Sequence, residues 1–282
     1  MAKYKEILDN AKKLAEEHQK EESAVLILLL HFSKMESAIL YANINEECPN
    51  DVFDSFNDAL NKYIYDNIPV QHITGYETFY GYNFIVNGDV LIPRVETEEL
   101  VENILYEYDD LFDGKVDVVD IGCGSGCIGI TLALEEPNMN VTLTDISFEA
   151  LEVAKKNALN LGANVRFLQG DMLEPVKKEK FDILVSNPPY IPDNEDVCSL
   201  VKDNEPWVAL FGGEDGLKFY RIILSQAHEI LKEKSIIAFE HAYDKGEAMV
   251  NLAKKYFPNA NVKLIKDIFG KDRMTIIING GK

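Results

Sequence analysis

From residue 116 onward the chain alternates short apolar runs with amphipathic ones. This alternation constrains the fold more than any other feature. Residues 116–121, 141–144, 165–168, 181–186, 235–240, 262–265 and 273–278 read as strands. Helices are expected at about 127–135, 148–161, 217–231 and 245–257. Strands that are apolar throughout suit a sheet covered on both faces, with helices as the crossovers. The expected architecture is α/β: a doubly wound, mostly parallel, seven-stranded sheet.

The first strand of that series runs into Asp120-Ile121-Gly122-Cys123-Gly124-Ser125-Gly126. Glycines at a strand-to-helix turn let backbone approach a ligand closely, and the helix N-terminus offers free N–H groups. A nucleotide-like ligand is the natural occupant. The residues also contain a literal dinucleotide fingerprint, Gly124-Ser125-Gly126-Cys127-Ile128-Gly129, with Asp145 placed to take a ribose hydroxyl pair. The earlier frame, Gly122-x-Gly124-x-Gly126, starts at the strand end and fits better. Asp171-Met172, after the third strand, is a further candidate. A carboxylate beside an adenine can accept from its exocyclic amine, although an Asp there also serves as an ordinary turn residue.

The fourth strand ends in Asn187-Pro188-Pro189-Tyr190. Two prolines cannot continue a ladder, so the backbone leaves the sheet at the carboxyl end of a strand, where open α/β sheets bind ligands. The Asn187 amide oxygen and the Pro188 carbonyl can both accept from one planar NH2 group, and Tyr190 can lie against the group that carries it. Asn-Pro is also a common turn signal, but a dinucleotide-dependent dehydrogenase has no use for this tetrapeptide at its fourth strand.

Upstream, residues 1–73 read as a small helical bundle. Ile7, Leu8, Ala11, Leu14 and Ala15 recur at helical spacing. Ser23 is expected to cap a helix over 24–32, and Asp51 a third with Val52, Phe53, Phe56, Leu60, Tyr63 and Ile64 on one face. Residues 74–93 are expected to form a hairpin between the domains. Its strands are 78–80 and 84–86, and Asn87-Gly88-Asp89 is a turn before an extended 90–92. Residues 94–282 then form the second domain, opening on an amphipathic helix over 96–108.

Composition narrows the function classes. The formal net charge of −20 over 282 residues opposes non-specific grip on a phosphate backbone. Cys48, Cys123, Cys127 and Cys198 form no Cys-x-x-Cys pair, and the five histidines show no ligand spacing, so no metal is expected. The start of the chain has no leader pattern, and the most apolar run, 24–30, is too short to span a bilayer. A cytoplasmic, reduced, soluble monomer is expected.

Together these residues resemble the class I S-adenosylmethionine-dependent methyltransferases, which have a Rossmann-like sheet. Within them the chain is similar to the release-factor glutamine N5-methyltransferase family (PrmC, also called HemK). The resemblance covers nearly the whole chain. It rests on Pro69-Val-Gln-His-Ile-Thr-Gly75, Leu91-Ile-Pro-Arg-Val-Glu-Thr-Glu98, Asp120 to Gly126, Asn187-Pro-Pro-Tyr190, and Glu205-Pro206 with Ala209-Leu210, Gly212-Gly213 and Asp215-Gly216-Leu217. It implies that Gly122, Cys123, Gly124, Ser125, Gly126, Asp145, Asp171, Met172 and Asn187 bind S-adenosylmethionine, with Asp145 at the ribose and Met172 at the adenine. Asn187, Pro188, Pro189 and Tyr190 would bind the substrate glutamine, with Asn187, Pro188 and Tyr190 acting in catalysis. The implied product is S-adenosylhomocysteine. The implied protein partner is a class 1 peptide chain release factor, at the Gln of its Gly-Gly-Gln motif, docked by the N-terminal bundle and hairpin, with no direct nucleic-acid or membrane contact. Two positions depart from the family pattern. Met172 stands where some relatives have Trp, and Val95 where Pro is usual, which leaves Arg94 and Glu96 without an assigned role.

Two other readings share parts of this pattern. An adenine-N6 DNA or RNA methyltransferase would use the same tetrapeptide on a flipped base. The acidic balance and the lack of a basic, aromatic-interleaved stretch oppose it. A dinucleotide-binding oxidoreductase would use the overlapping glycine fingerprint. A non-catalytic adaptor is disfavoured by the intact motifs.

Overall fold

The computed structural model describes residues 2–280. In chain order its elements are α1 (Tyr4–Glu17), α2 (Glu22–Ser33), α3 (Ser37–Ala42), α4 (Asn50–Ile64), α5 (Val70–Thr74), β1 (Tyr76–Phe79), β2 (Tyr82–Ile85) and α6 (Val95–Leu111). There follow β3 (Val116–Ile121), α7 (Cys127–Glu135), β4 (Met139–Asp145), α8 (Phe148–Leu161), β5 (Arg166–Gln169), β6 (Phe181–Ser186) and α9 (Ser199–Lys202). The chain closes with α10 (Lys218–Ile230), β7 (Leu231–Glu240), α11 (Gly246–Tyr256), β8 (Asn261–Lys266) and β9 (Asp272–Asn279). It divides into two compact units, residues 1–76 with 197–204, and residues 77–196 with 205–282.

The first unit is helical. Ile7, Leu8, Ala11 and Ala15 of α1 meet Val25, Leu28 and Leu29 of α2 and Phe56, Leu60 and Tyr63 of α4 in one buried cluster. These spacings of three and four place the apolar residues on one stripe of each helix. Two expected caps move by two residues, to Glu21 and Pro49. Helix α2 starts at Glu22 without a side-chain cap, so Ser23 lies inside it. Helix α4 starts at Asn50, because Pro49 presets the extended entry, and Asp51 sits in its first turn. The segment 197–204 joins this unit through Asn204, whose Nδ2 donates to the Asn67 carbonyl at 2.8 Å.

The second unit is a seven-stranded sheet of order β5-β4-β3-β6-β7-β9-β8. The pairs β3–β4, β3–β6, β4–β5 and β6–β7 are parallel, and β9 runs antiparallel to both of its neighbours. Alternation along each strand feeds two cores. Val118, Ile183, Val185, Ile236 and Ala238 face α6, α7 and α8. Val119, Leu184, Ile237 and Phe239 face α10 and α11. With both faces covered, these strands are apolar almost throughout, which is why their sequence runs show little alternation.

The hairpin differs from its expected form. Strands β1 and β2 are joined at Tyr80 and Gly81, with φ of 52° and 78°, the signature of a two-residue type I′ turn. Asn87-Gly88-Asp89 instead closes an Asx turn, in which the Asn87 Oδ1 accepts from the Asp89 N–H at 3.1 Å. Residues 90–92 form no strand, because the Ile92 N–H donates to the Glu205 carboxylate rather than to a strand partner. Phe79 and Phe84 pack edge to face in the core beside α6. Among the described residues no helix is long and apolar enough to cross a membrane.

Candidate active site

Strands β3, β4, β5 and β6 run parallel, so their carboxyl ends and the loops that follow gather at one edge of the sheet. The strand order reverses between β3, whose successor β4 lies on one side, and β6 on the other. A crevice opens at such a reversal. Here a cavity of about 310 Å³ lies within the second unit. Its walls include Gly122, Cys123, Gly124, Ser125, Asp145, Asp171, Met172, Asn187 and Pro189. Four separate loops thus bring the expected site residues to one place.

Three expected residues do not line it. Gly126 caps α7 with φ of 82°, and a Cβ there would stand 2.7 Å from Ile130 Cδ1, so helix packing by itself already requires a glycine at this position. Pro188 is buried, and Tyr190 is partly buried against the core beneath α10. The last glycine of the alternative dinucleotide frame serves close helix–strand packing, a role that frame also gives it, so it does not separate the two frames. Gly129 lies inside α7, and its N–H donates to Asp120 Oδ2 at 3.0 Å. Asp120 is thereby a buried bolt between strand and helix. Its Oδ1 has no hydrogen-bond partner among the described residues, and burial pushes its carboxyl up to about 7.

Asp145 ends β4 and organises the glycine loop. Its Oδ2 accepts the Gly124 N–H and its Oδ1 the Ser147 N–H, both at 2.9 Å. Each oxygen keeps a lone pair for a ligand hydroxyl. Burial raises its pKa, and the backbone N–H groups oppose the rise. Ile146, half exposed, continues the cavity wall beside it, and Met172 closes the other side. Met172 holds φ of 46°, a left-handed conformation that a non-glycine residue seldom adopts.

The tetrapeptide is clamped from outside. Gly212 and Gly216 lie against its backbone. A Cβ on Gly212 would meet the Pro189 carbonyl at 2.4 Å, and one on Gly216 the Tyr190 carbonyl at 2.2 Å. Backbone bonds Ile191 N–H to Leu210 O and Gly212 N–H to Ile191 O stitch the two segments together. This close approach explains the glycines of the 212–216 segment. The Arg94 guanidinium pairs with Glu205 at 2.7 Å, joining the segment before α6 to the one before that clamp. Val95 needs no proline ring for this, since it opens α6 with Arg94 as an extended cap.

Sequence reasoning missed Thr97 and Glu240. The Asn187 Nδ2 donates to Thr97 Oγ1 at 3.4 Å, and the Thr97 hydroxyl donates to Glu240 Oε2 at 2.6 Å. Burial pushes the Glu240 carboxyl up to about 7 against these hydrogen bonds. Thr97 lies inside the 91–98 segment quoted as motif but was given no role there, and Glu240 ends a strand read only as core. No local pattern ties either of them to Asn187.

Comparison with known proteins agrees with this geometry. Residues 97–203 match the Methyltransferase small domain and residues 6–75 the PrmC N-terminal domain. The release factor glutamine methyltransferase of Bacillus cereus is 45% identical over 274 residues, covering 95% of this chain and 96% of that one. Its counterpart in Bacillus subtilis is 47% identical over 260 residues, 90% of each chain. A solved methyltransferase structure from Pyrococcus furiosus matches with a TM-score of 0.52 and 22% identity, over 72% of this chain and 91% of that one, a likeness of fold. Identity of this extent across both matched domains places the chain in the release factor glutamine methyltransferase family.

Proposed function

We propose that this protein transfers a methyl group from S-adenosylmethionine to the side-chain amide nitrogen of the glutamine in the Gly-Gly-Gln motif of class 1 release factors. The observation that carries the reading is that Asn187, on a backbone held by two prolines and two glycines, shares one cavity with the glycine loop and Asp145.

The cavity suits the cofactor. Gly122 and Gly124 leave open space where a Cβ would stand, so backbone can approach the ligand. Asp145 would take the ribose hydroxyls, and Ile146 and Met172 would flank the adenine. When bound, S-adenosylmethionine supplies a methyl on a positively charged sulfur. The residues of the chain must then make a poor nucleophile attack. An amide nitrogen delocalises its lone pair into the carbonyl. The Asn187 Oδ1 and the Pro188 carbonyl would accept its two N–H groups, aim the nitrogen at the methyl and favour the lone pair on nitrogen. The nitrogen held by these two acceptors would take the methyl given up by the sulfur and would lose one of its protons to water. The N-terminal unit would hold the release factor.

The test is methylation of unmodified release factor followed by peptide mass mapping, with DNA in parallel. A methyl on the Gly-Gly-Gln glutamine is the expected result. Methyl on adenine would keep the site chemistry and discard the substrate. Asn187→Ala is expected to lose turnover by about 100-fold or more while still binding cofactor, and wild-type turnover by that variant would discard the scheme.

A further inference from the structure

A carboxylate that the reaction as described does not use lies behind Asn187. Glu240 ends β7 and is 2% exposed. Thr97 sits in the first turn of α6, and Asn187 directly follows β6. Three elements from distant parts of the chain therefore converge on one chain of hydrogen bonds: Asn187 Nδ2 to Thr97 Oγ1, and Thr97 Oγ1 to Glu240 Oε2. Asn187 also favours the ionised form of Glu240.

Once Glu240 is ionised, the polarity of this chain is forced. An ionised carboxylate only accepts. Thr97 must donate its single hydroxyl proton to Glu240, so its oxygen has only lone pairs to offer Asn187. Asn187 must present its NH2 to Thr97, which leaves Oδ1 on the other branch of the amide. We propose, resting on the reaction given above, that Glu240 and Thr97 are positioning residues that fix the amide polarity of Asn187 and hold its oxygen as the acceptor for the substrate amide. The reversed amide would set NH2 against NH2 and bind no glutamine productively.

Protonation of Glu240 adds a donor at the head of the chain and removes the constraint. Its surroundings set where that occurs. Glu96 on α6 favours the protonated form and Arg273 on β9 the ionised one. Tyr190, Tyr220 on α10 and Cys127 on α7 also face it, all with pKa raised by burial and so neutral. His241, the next residue, is engaged by Thr275 Oγ1 at 2.9 Å, and burial lowers its pKa.

The test uses Thr97→Val, Thr97→Ser and Glu240→Gln in the full chain. Turnover of release factor is measured at saturating cofactor, and the Asn187 side-chain amide is observed by NMR with selective ¹⁵N labelling. Thr97→Val is expected to lower kcat by about 10- to 100-fold with cofactor affinity within about twofold, and Thr97→Ser to restore it. Wild-type activity is expected to rise with pH through about 7, and Glu240→Gln to flatten that limb. The Asn187 NH2 protons are expected to exchange slowly in the wild type and to lose that protection in Thr97→Val. Wild-type turnover by Thr97→Val, or unchanged Asn187 resonances, would overturn the proposal. Loss of protection in Thr97→Val, in a protein that does not methylate the release factor, would uphold the polarity and overturn only the substrate reading.

Discussion

At the scale of single residues, the site depends on acceptors whose partners are set before a ligand arrives. Asp145 is the clearest case. It anchors the glycine loop at Gly124 and the start of α8 at Ser147, and it lines the cavity. A hydrogen bond to a charged group is worth about 1.5–3 kcal/mol, so Asp145→Ala should raise the S-adenosylmethionine Kd by about 10- to 100-fold. Isothermal calorimetry checks this, and an unchanged Kd would remove Asp145 from the ribose. This residue was legible because strand end, acid and glycine loop stand in a short, ordered stretch. Thr97 and Glu240 were not. A threonine in a first turn and a glutamate after an apolar run are common, and only their meeting at 2.6 Å gives them meaning.

At the scale of elements, the alternation of strands and helices carried the fold. Strands β3 and β6 and helices α7 and α8 have the expected bounds, because apolar runs and breakers coincide there. Strand β7 begins at Leu231, earlier than its apolar run, because Leu231 pairs with Phe181 ahead of a register shift that the polar residues 232–234 span. The hairpin turn was misplaced for a related reason. Asn-Gly-Asp is the stronger turn sequence, yet the packing of Phe79 and Phe84 puts the reversal at Tyr80-Gly81 and accepts a tyrosine at φ of 52°. The clamp on Asn187-Pro188-Pro189-Tyr190 gives a test at this scale. Gly216 has φ of 74° and no room for a Cβ beside the Tyr190 carbonyl. Gly216→Ala should shift the tetrapeptide and lower kcat by about tenfold or more, with the cofactor Kd unchanged, since ångström misplacement of a reacting group is costly. Equal effects on kcat and Kd would mean that the clamp also shapes the cofactor end.

At the scale of the whole molecule, pH sets stability through two buried carboxylates. Asp120 and Glu240 both hold their protons to about 7, well above their ordinary values of 3.8 and 4.5. The folded state therefore binds more protons than the unfolded chain from about pH 4 to 7. Their contribution is fully present below the ordinary values and is lost as pH rises through about 7. Asp117, Asp215 and Asp267 work the other way. Their pKa values are lowered, Asp215 to about 2 beside Arg221, so what they add is lost in acid. Urea unfolding should show stability falling between about pH 5 and 7, by up to about 1.4 kcal/mol per pH unit per group, and levelling off above that. Glu240→Gln should reduce that slope, and an unchanged slope would assign the loss elsewhere, including to repulsion among the −20 net charges.

The layered α/β class, the strand-end glycine loop and the rigid exit at Asn187 are all written in residues that are neighbours along the chain, and so were legible before any fold was known. Which glycines line the cavity and which let helices pack emerged only with the folded chain. So did the joining of residues 197–204 to the helical unit, and the threonine and glutamate that stand behind Asn187. Local chemistry dictates local conformation. Contacts between distant segments depend on how every layer packs, and a linear pattern does not encode that packing one residue at a time.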